Sequence, residues 1–122
     1  VTGFGIVGHS LEMAQGSGVQ IELLYGELPF YPNALEMYKK GETTGSNLDN
    51  RKLTEGFLKI DADLRLEQEE LLFDPQTSGG LLFSLPSSQA EELVKTLKNA
   101  GIEAAAQIGT VLPNKEPCVR VV

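Results

Sequence analysis

Tryptophan is absent from this 122-residue chain, and cysteine and histidine occur once each. The single thiol, Cys118, excludes an internal disulfide and any zinc cluster built from several cysteines. The lone imidazole, His9, has no second histidine with which to form a His-based metal site. Aromatic residues make up 7%, too few for a platform on which bases stack. No apolar run approaches the roughly 18 residues that cross a bilayer, and the start is glycine-rich without the basic segment of a secretion signal. Basic charge is in deficit, with 10 Lys and Arg against 17 Asp and Glu and a formal charge of −7. That balance disfavours nucleic acid, which is bound by clustered Lys and Arg that neutralise phosphates. What is left is an ordinary globular composition, 41% hydrophobic and 22% charged, at a length suited to one domain. The expectation is a single domain, residues 1–122, in a reducing cytoplasmic setting, with neither membrane nor nucleic acid as a partner. A start at Val1 rather than Met suggests a piece of something longer.

Periodicity divides the chain into alternating elements. Gly5 to Gln15 reads as a helix, with Ile6, Met13 and Ala14 or Val7, Leu11 and Ala14 on its common side, and Gly16-Ser17-Gly18 ends it. Val19 to Leu23 alternates as a half-buried strand. Pro32 suits the first turn of a short helix reaching Lys40, with Gly41 as its stop. From Gly41 to Asp63 the pattern weakens, and Asn47, Asp49 and Asn50 favour turns and caps. Glu67 to Leu72 predicts a short helix halted by Asp74-Pro75. Leu81 to Leu85 predicts a buried strand. Ser88 and Glu91 form a capping box ahead of a helix with Ala90, Leu93, Val94 and Leu97 on one face, closed by Gly101. Ala104 to Leu112 and Cys118 to Val122 predict strands around a Pro-Asn-Lys-Glu-Pro turn. The irregular alternation favours an α+β fold over a doubly wound parallel sheet.

Two segments carry chemistry. The first is Val1-Thr2-Gly3-Phe4-Gly5-Ile6-Val7-Gly8-His9, whose glycines match the dinucleotide spacing G-x-G-x-x-G. A true dinucleotide turn follows a strand and is followed about 20 residues later by an acid on the ribose. No strand precedes Gly3, and the next strand offers only Glu22 and Glu27. Gly5 and Gly8 read better as points of close backbone packing, His9 as a hydrogen-bonded helical histidine and Thr2 as an N-cap. The second is Phe73-Asp74-Pro75-Gln76-Thr77-Ser78-Gly79-Gly80-Leu81. Successive N–H groups around Thr77 to Gly80 could cradle an anion, helped by the Thr77 and Ser78 hydroxyls. No Gly-Lys-Ser/Thr follows, so this is not a P-loop. A sharp bend leading into a central strand explains the same composition.

Taken together, and in this order, the two segments resemble the C-terminal domain of the selenophosphate synthetase (selenide, water dikinase) family. Leu11-Glu12-Met13-Ala14 and Gly16-Ser17-Gly18-Val19 extend the likeness, which covers essentially the whole chain. It implies the fold of the aminoimidazole ribonucleotide synthetase superfamily: an α+β domain, three-layered α-β-α, with partly ferredoxin-like topology. It implies a reaction in which ATP, selenide and water give selenophosphate, AMP and orthophosphate with Mg²⁺, for selenocysteine and selenouridine synthesis. The partners implied are the enzyme's own N-terminal ATP-binding domain and a second copy in a homodimer.

By the same resemblance the family's nucleophilic Cys or selenocysteine and its neighbouring Lys belong to the N-terminal domain, and Cys118 does not correspond to that nucleophile. The family's metal-holding Asp would stand immediately before Val1, so the chain alone is expected to hold no metal and no tightly bound ATP, and to be inactive. Thr2, Gly3 and Gly5 are expected at the substrate cleft, with Asp74, Gln76, Thr77 and Ser78 as further polar groups at the domain interface. The family shows Gly-Gly-Thr-x-x-Asn in mid-domain, where this chain reads Gly45-Ser46-Asn47-Leu48-Asp49-Asn50. Gly45 and Asn50 match; Ser46 and Asn47 depart, and a Ser in place of Gly restricts the loop. Within the superfamily, thiamine-monophosphate kinases and hydrogenase-maturation proteins are the alternatives. Outside it, the alternative is a non-catalytic binding domain.

Overall fold

The apolar face of the first helix sets the core. A computed structural model describes residues 1–113 and 118–122. Helix α1 (Gly5–Ser17) buries Val7, Leu11 and Ala14, which selects one of the two faces the sequence allowed. The helix runs past Gln15 to Ser17, and its C-cap is Gly18 in the left-handed region, the last residue of the expected Gly16-Ser17-Gly18 stop. Strand β1 (Val19–Leu23) follows directly, as its alternation predicts. A 3-10 turn (Tyr25–Glu27) leads to α2 (Ala34–Lys39), which is shorter than the Pro32–Lys40 helix expected.

The stretch read as loop holds two elements, α3 (Asn47–Leu53) and β2 (Leu58–Ile60). Helix α3 eluded the pattern because Asn47 and Asn50 point inward, while Leu48 is 61% exposed. Helix α4 (Leu66–Phe73) buries Leu71, Leu72 and Phe73 and stops at Asp74, ahead of Pro75. Gln68 Oε1 accepts the Arg65 N–H at 3.0 Å at its start.

The next expectations are corrected. Leu81 to Leu85 forms no strand, and Leu81 and Phe83 are 81% and 59% exposed. Apolar composition creates a strand only where a neighbouring strand supplies partners for its N–H and C=O groups. Helix α5 (Ser87–Asn99) has Pro86 as N-cap with no side-chain capping bond, so the Ser88–Glu91 box is not formed. Its end is as expected: Gly101 takes φ +91°, Gly101 N–H donates to Lys98 O and Ile102 N–H to Leu97 O. These two bonds are the 5→2 and 6→1 pair of a Schellman stop. Strand β3 (Gly109–Pro113) occupies only the end of the Ala104–Leu112 strand expected, and β4 (Cys118–Val121) completes the set. Most of the Pro-Asn-Lys-Glu-Pro turn lies outside the described residues.

The four strands form one mixed sheet in the order β2-β4-β1-β3. Strand β4 runs parallel to both β1 and β2, with Ile21 opposite Val119 and Ile60 opposite Val121, and β3 is antiparallel to β1. One face carries Ile21, Leu23, Val119 and Val121 into the core beneath α1, where Leu72 and Phe73 of α4 join them. The other face is polar: Arg120 reaches Glu22 at 3.3 Å and Asp61 at 2.5 Å. The α+β class is therefore the one observed. Helix α5 has no buried residue, and its apolar stripe Leu93, Val94 and Leu97 is only half-buried.

Candidate functional site

Gly5 brings the two motif segments together. Its φ is +68°, a left-handed value that glycine adopts without strain, and an ideal Cβ there would lie 3.0 Å from Leu72 O and 3.1 Å from Asp74 O. The start of α1 thus rests on the backbone at the end of α4. Its N-cap is Phe4, not Thr2. The Thr2 carbonyl instead accepts the N–H groups of Gly5 (3.1 Å) and Gln76 (3.0 Å). Gly79 N–H donates to Val1 O at 3.1 Å, and the Val1 amino group donates to Gly80 O at 2.6 Å. Residues 1–3 therefore lie along the Gln76–Gly80 loop, and Thr2, Gly3, Gly5, Asp74, Gln76, Thr77 and Ser78 share one edge of the molecule. The N–H groups of Gln76 and Gly79 are consumed by this pairing, which removes the Gly79 donor from any anion cradle. The Thr77 and Ser78 side chains are exposed.

His9 faces Thr2 from the first turns of α1. Its Nδ1 lies 2.8 Å from Glu12 Oε2 and its Nε2 lies 3.0 Å from Thr2 Oγ1. A carboxylate only accepts, so Nδ1 carries a proton toward Glu12, and Nε2 shares a hydrogen bond with the Thr2 hydroxyl. The order hydroxyl, imidazole, carboxylate holds the Thr2 side chain against the first turns of α1. The Phe4 ring tilts against the imidazole, 5.5 Å between centroids.

Asp74 is committed within the chain. The Tyr38 hydroxyl donates to its Oδ1, and Gln76 Nε2 donates to its Oδ2 at 2.5 Å. Burial pushes the Tyr38 phenol well above its ordinary pKa, and the bond to Asp74 adds to the rise, so Tyr38 stays a donor. Asn47 extends the network. It accepts from Thr44 Oγ1 at 2.7 Å and donates to Tyr38 Oη at 3.1 Å and Glu70 Oε2 at 2.9 Å. Arg51 pairs with Glu70 (2.8 Å) and Glu69 (3.2 Å) and lies 4.2 Å over the Phe73 ring. Burial works against its charge, but the bonds to Glu70 and Glu69 outweigh it and hold its pKa above the ordinary value. An open cleft of about 480 Å³ runs past Tyr38, Thr44, Asn47, Arg51, Glu67 and Glu70. Neither Thr2 nor Thr77 lines it.

Asn50 was legible only as a matching letter, and the structure gives it a place. Its Nδ2 donates to Gly3 O at 2.8 Å and to Phe73 O at 2.9 Å, one carbonyl from each motif segment. The signal that could have found it is the spacing Asn47, Asn50, Thr54, a polar stripe at i, i+3 and i+7, all three buried. Among the described residues no three His, Cys, Asp or Glu side chains converge into a group able to hold a metal ion. None of the described helices is long and apolar enough to cross a membrane.

Residues 1–122 match the family described as AIR synthase related protein, C-terminal domain. Among curated proteins, the chain is 42% identical over 122 residues to the selenide, water dikinase of Pelobacter propionicus, covering 100% of the chain and 34% of that protein. It is 38% identical over 121 residues to the selenide, water dikinase of Clostridioides difficile, covering 99% of the chain and 35% of that protein. It is 37% identical over 125 aligned residues to selenide, water dikinase 2 of Peptoclostridium acidaminophilum, again 100% and 35%. The chain spans about a third of the length of these relatives.

Proposed function

The chain belongs to the family of AIR synthase related protein C-terminal domains, and from that premise we propose that it is the C-terminal domain of a selenide, water dikinase. The longer enzyme would convert ATP, selenide and water to selenophosphate, AMP and orthophosphate, and its partner domain would be its own N-terminal ATP-binding part, in a homodimer. The observation that carries this reading is the end-to-end match, 42% identical, to a protein bearing that name. The convergence of both motif segments on one edge supports it, because a domain that walls one side of a cleft needs its polar groups gathered there.

The residues of this chain divide the work by chemistry. Thr77 and Ser78 offer exposed hydroxyls toward phosphoryl oxygens, while the Thr2 hydroxyl is held by His9 beside them. Gly3 and Gly5 let backbone approach closely, and Asp74 and Gln76 hold the loop that carries Thr77 and Ser78. His9 and Glu12 orient the Thr2 hydroxyl. Mg²⁺ does not fit the residues present: it takes several oxygens in octahedral array, while of the two carboxylates in the set Asp74 already accepts from Tyr38 and Gln76 and Glu12 pairs with His9. Alone, the domain would bind ATP weakly, since one wall bears the entropic cost of association with few of the contacts.

A chimera tests the reading. Residues 1–122 are placed in the Pelobacter propionicus enzyme in exchange for its matching segment. The expected outcome is a folded protein that forms AMP only when selenide is supplied. A folded chimera that releases AMP without selenide, or shows no turnover, refutes the proposal.

A further inference from the structure

The mid-domain motif holds a buried amide that the proposed substrate contacts leave unused. Asn50 is 4% exposed, and a primary amide buried without partners is costly. Both protons of its NH2 group are spent, one on Gly3 O and one on Phe73 O. Gly3 lies between Thr2 and the start of α1, and Phe73 immediately precedes Asp74. One side chain thus spans the seam between the segment that carries Thr2 and the loop that carries Thr77 and Ser78. Further bonds across the seam run backbone to backbone, from Gln76 N–H to Thr2 O and from Gly79 N–H to Val1 O.

From this geometry we infer that Asn50 is a positioning residue, one that sets the spacing of the Thr2 hydroxyl against Thr77 and Ser78 without touching substrate. The consequence for catalysis rests on the proposed function; the bridge itself does not. The chemistry is specific to an amide of this length. Aspartate keeps the shape but turns two donors into acceptors facing two carbonyls. Alanine leaves both carbonyls without a partner. Glutamine, one methylene longer, displaces the NH2 group from the point midway between them. Thr54 supplies a control, since it is buried at the C-cap of α3 and, among the described residues, its hydroxyl bonds to backbone of that helix alone, Arg51 O at 3.0 Å and Asn50 O at 3.4 Å.

Solution NMR of the 122-residue chain tests the bridge first in the wild type. Scalar couplings across the hydrogen bonds from Asn50 Nδ2 to the Gly3 and Phe73 carbonyl carbons are expected, with slow exchange of both amide protons. Absent couplings with rapid exchange overturn the inference, whatever becomes of any variant. In Asn50→Ala and Asn50→Asp, the Gln76 and Gly79 amides should exchange at least about tenfold faster relative to Leu24 and Val119 in the sheet region, as local opening loses two bonds. Thr54→Val should speed exchange without that local bias. A uniform change in the Asn50 variants, like that of Thr54→Val, also overturns it. In the longer enzyme, Asn50→Ala should lower kcat for selenide-dependent AMP formation at least about tenfold in a folded protein, against little change for Thr54→Val. If the wild-type couplings stand and the longer enzyme shows no dependence on selenide, the functional reading fails and the bridge survives.

Discussion

At Gly5 one hydrogen atom in place of a methyl group decides whether the two motif segments touch. A Cβ there would press on Leu72 O, Phe73 C and Asp74 O at 3.0–3.1 Å, in a left-handed backbone. Gly5→Ala should therefore destabilise the domain by about 1–3 kcal/mol, read from the midpoint of urea denaturation. Gly3→Ala, with nothing within 4 Å of the new methyl group, should stay within about 0.5 kcal/mol. Equal costs at the two positions would contradict this account. The three glycines of the first motif share a spacing but not a reason. Gly5 serves a contact, while a Cβ on Gly8 would meet Phe4 Cβ at 2.7 Å within the same helix. The spacing was plain in the sequence, and the reasons were not, because the backbone that meets Gly5 lies nearly 70 residues away. Asn47 shows the same limit. Its departure from the family's Thr is visible as a letter, but its bonds to Tyr38, Thr44 and Glu70 need three elements to be in place first.

Among the elements, legibility followed the hydrophobic pattern. Helix α1, strand β1 and helix α4 announce themselves through buried apolar faces, and the structure bears them out. Helix α3 inverts the rule, burying Asn47 and Asn50 and exposing Leu48 and Leu53, so its periodicity points the wrong way. Leu81 to Leu85 has strand composition without strand pairing, since composition names no partner. These two cases give opposite expectations for apolar truncation. Leu72→Ala, in the fully buried core of α4, should cost about 2–5 kcal/mol. Leu81→Ser, at a highly exposed position, should change stability by no more than about 0.5 kcal/mol. Chemical denaturation of both variants checks the pair. A cost near that of Leu72→Ala at Leu81 would mean that the segment is packed.

For the molecule as a whole, the mixed sheet is a scaffold with one buried face and one charged face, and the candidate site lies at the end of the helical layer where α1 and α4 meet. Whole-chain properties narrowed the field mainly by exclusion. The charge of −7 argued against nucleic acid, and the single Cys and single His argued against thiol-based and histidine-based metal clusters. The family resemblance in the sequence rests instead on two motifs that are far apart in sequence and adjacent in space. Their adjacency is what makes a shared role in one cleft physically reasonable. The most direct test is to express the longer enzyme proposed to carry these 122 residues, supply ATP, Mg²⁺ and selenide, and follow phosphorus by NMR. The account predicts a selenophosphate resonance accumulating together with AMP and orthophosphate, and none when selenide is omitted. ADP as the nucleotide product, or AMP formed equally without selenide, would contradict it.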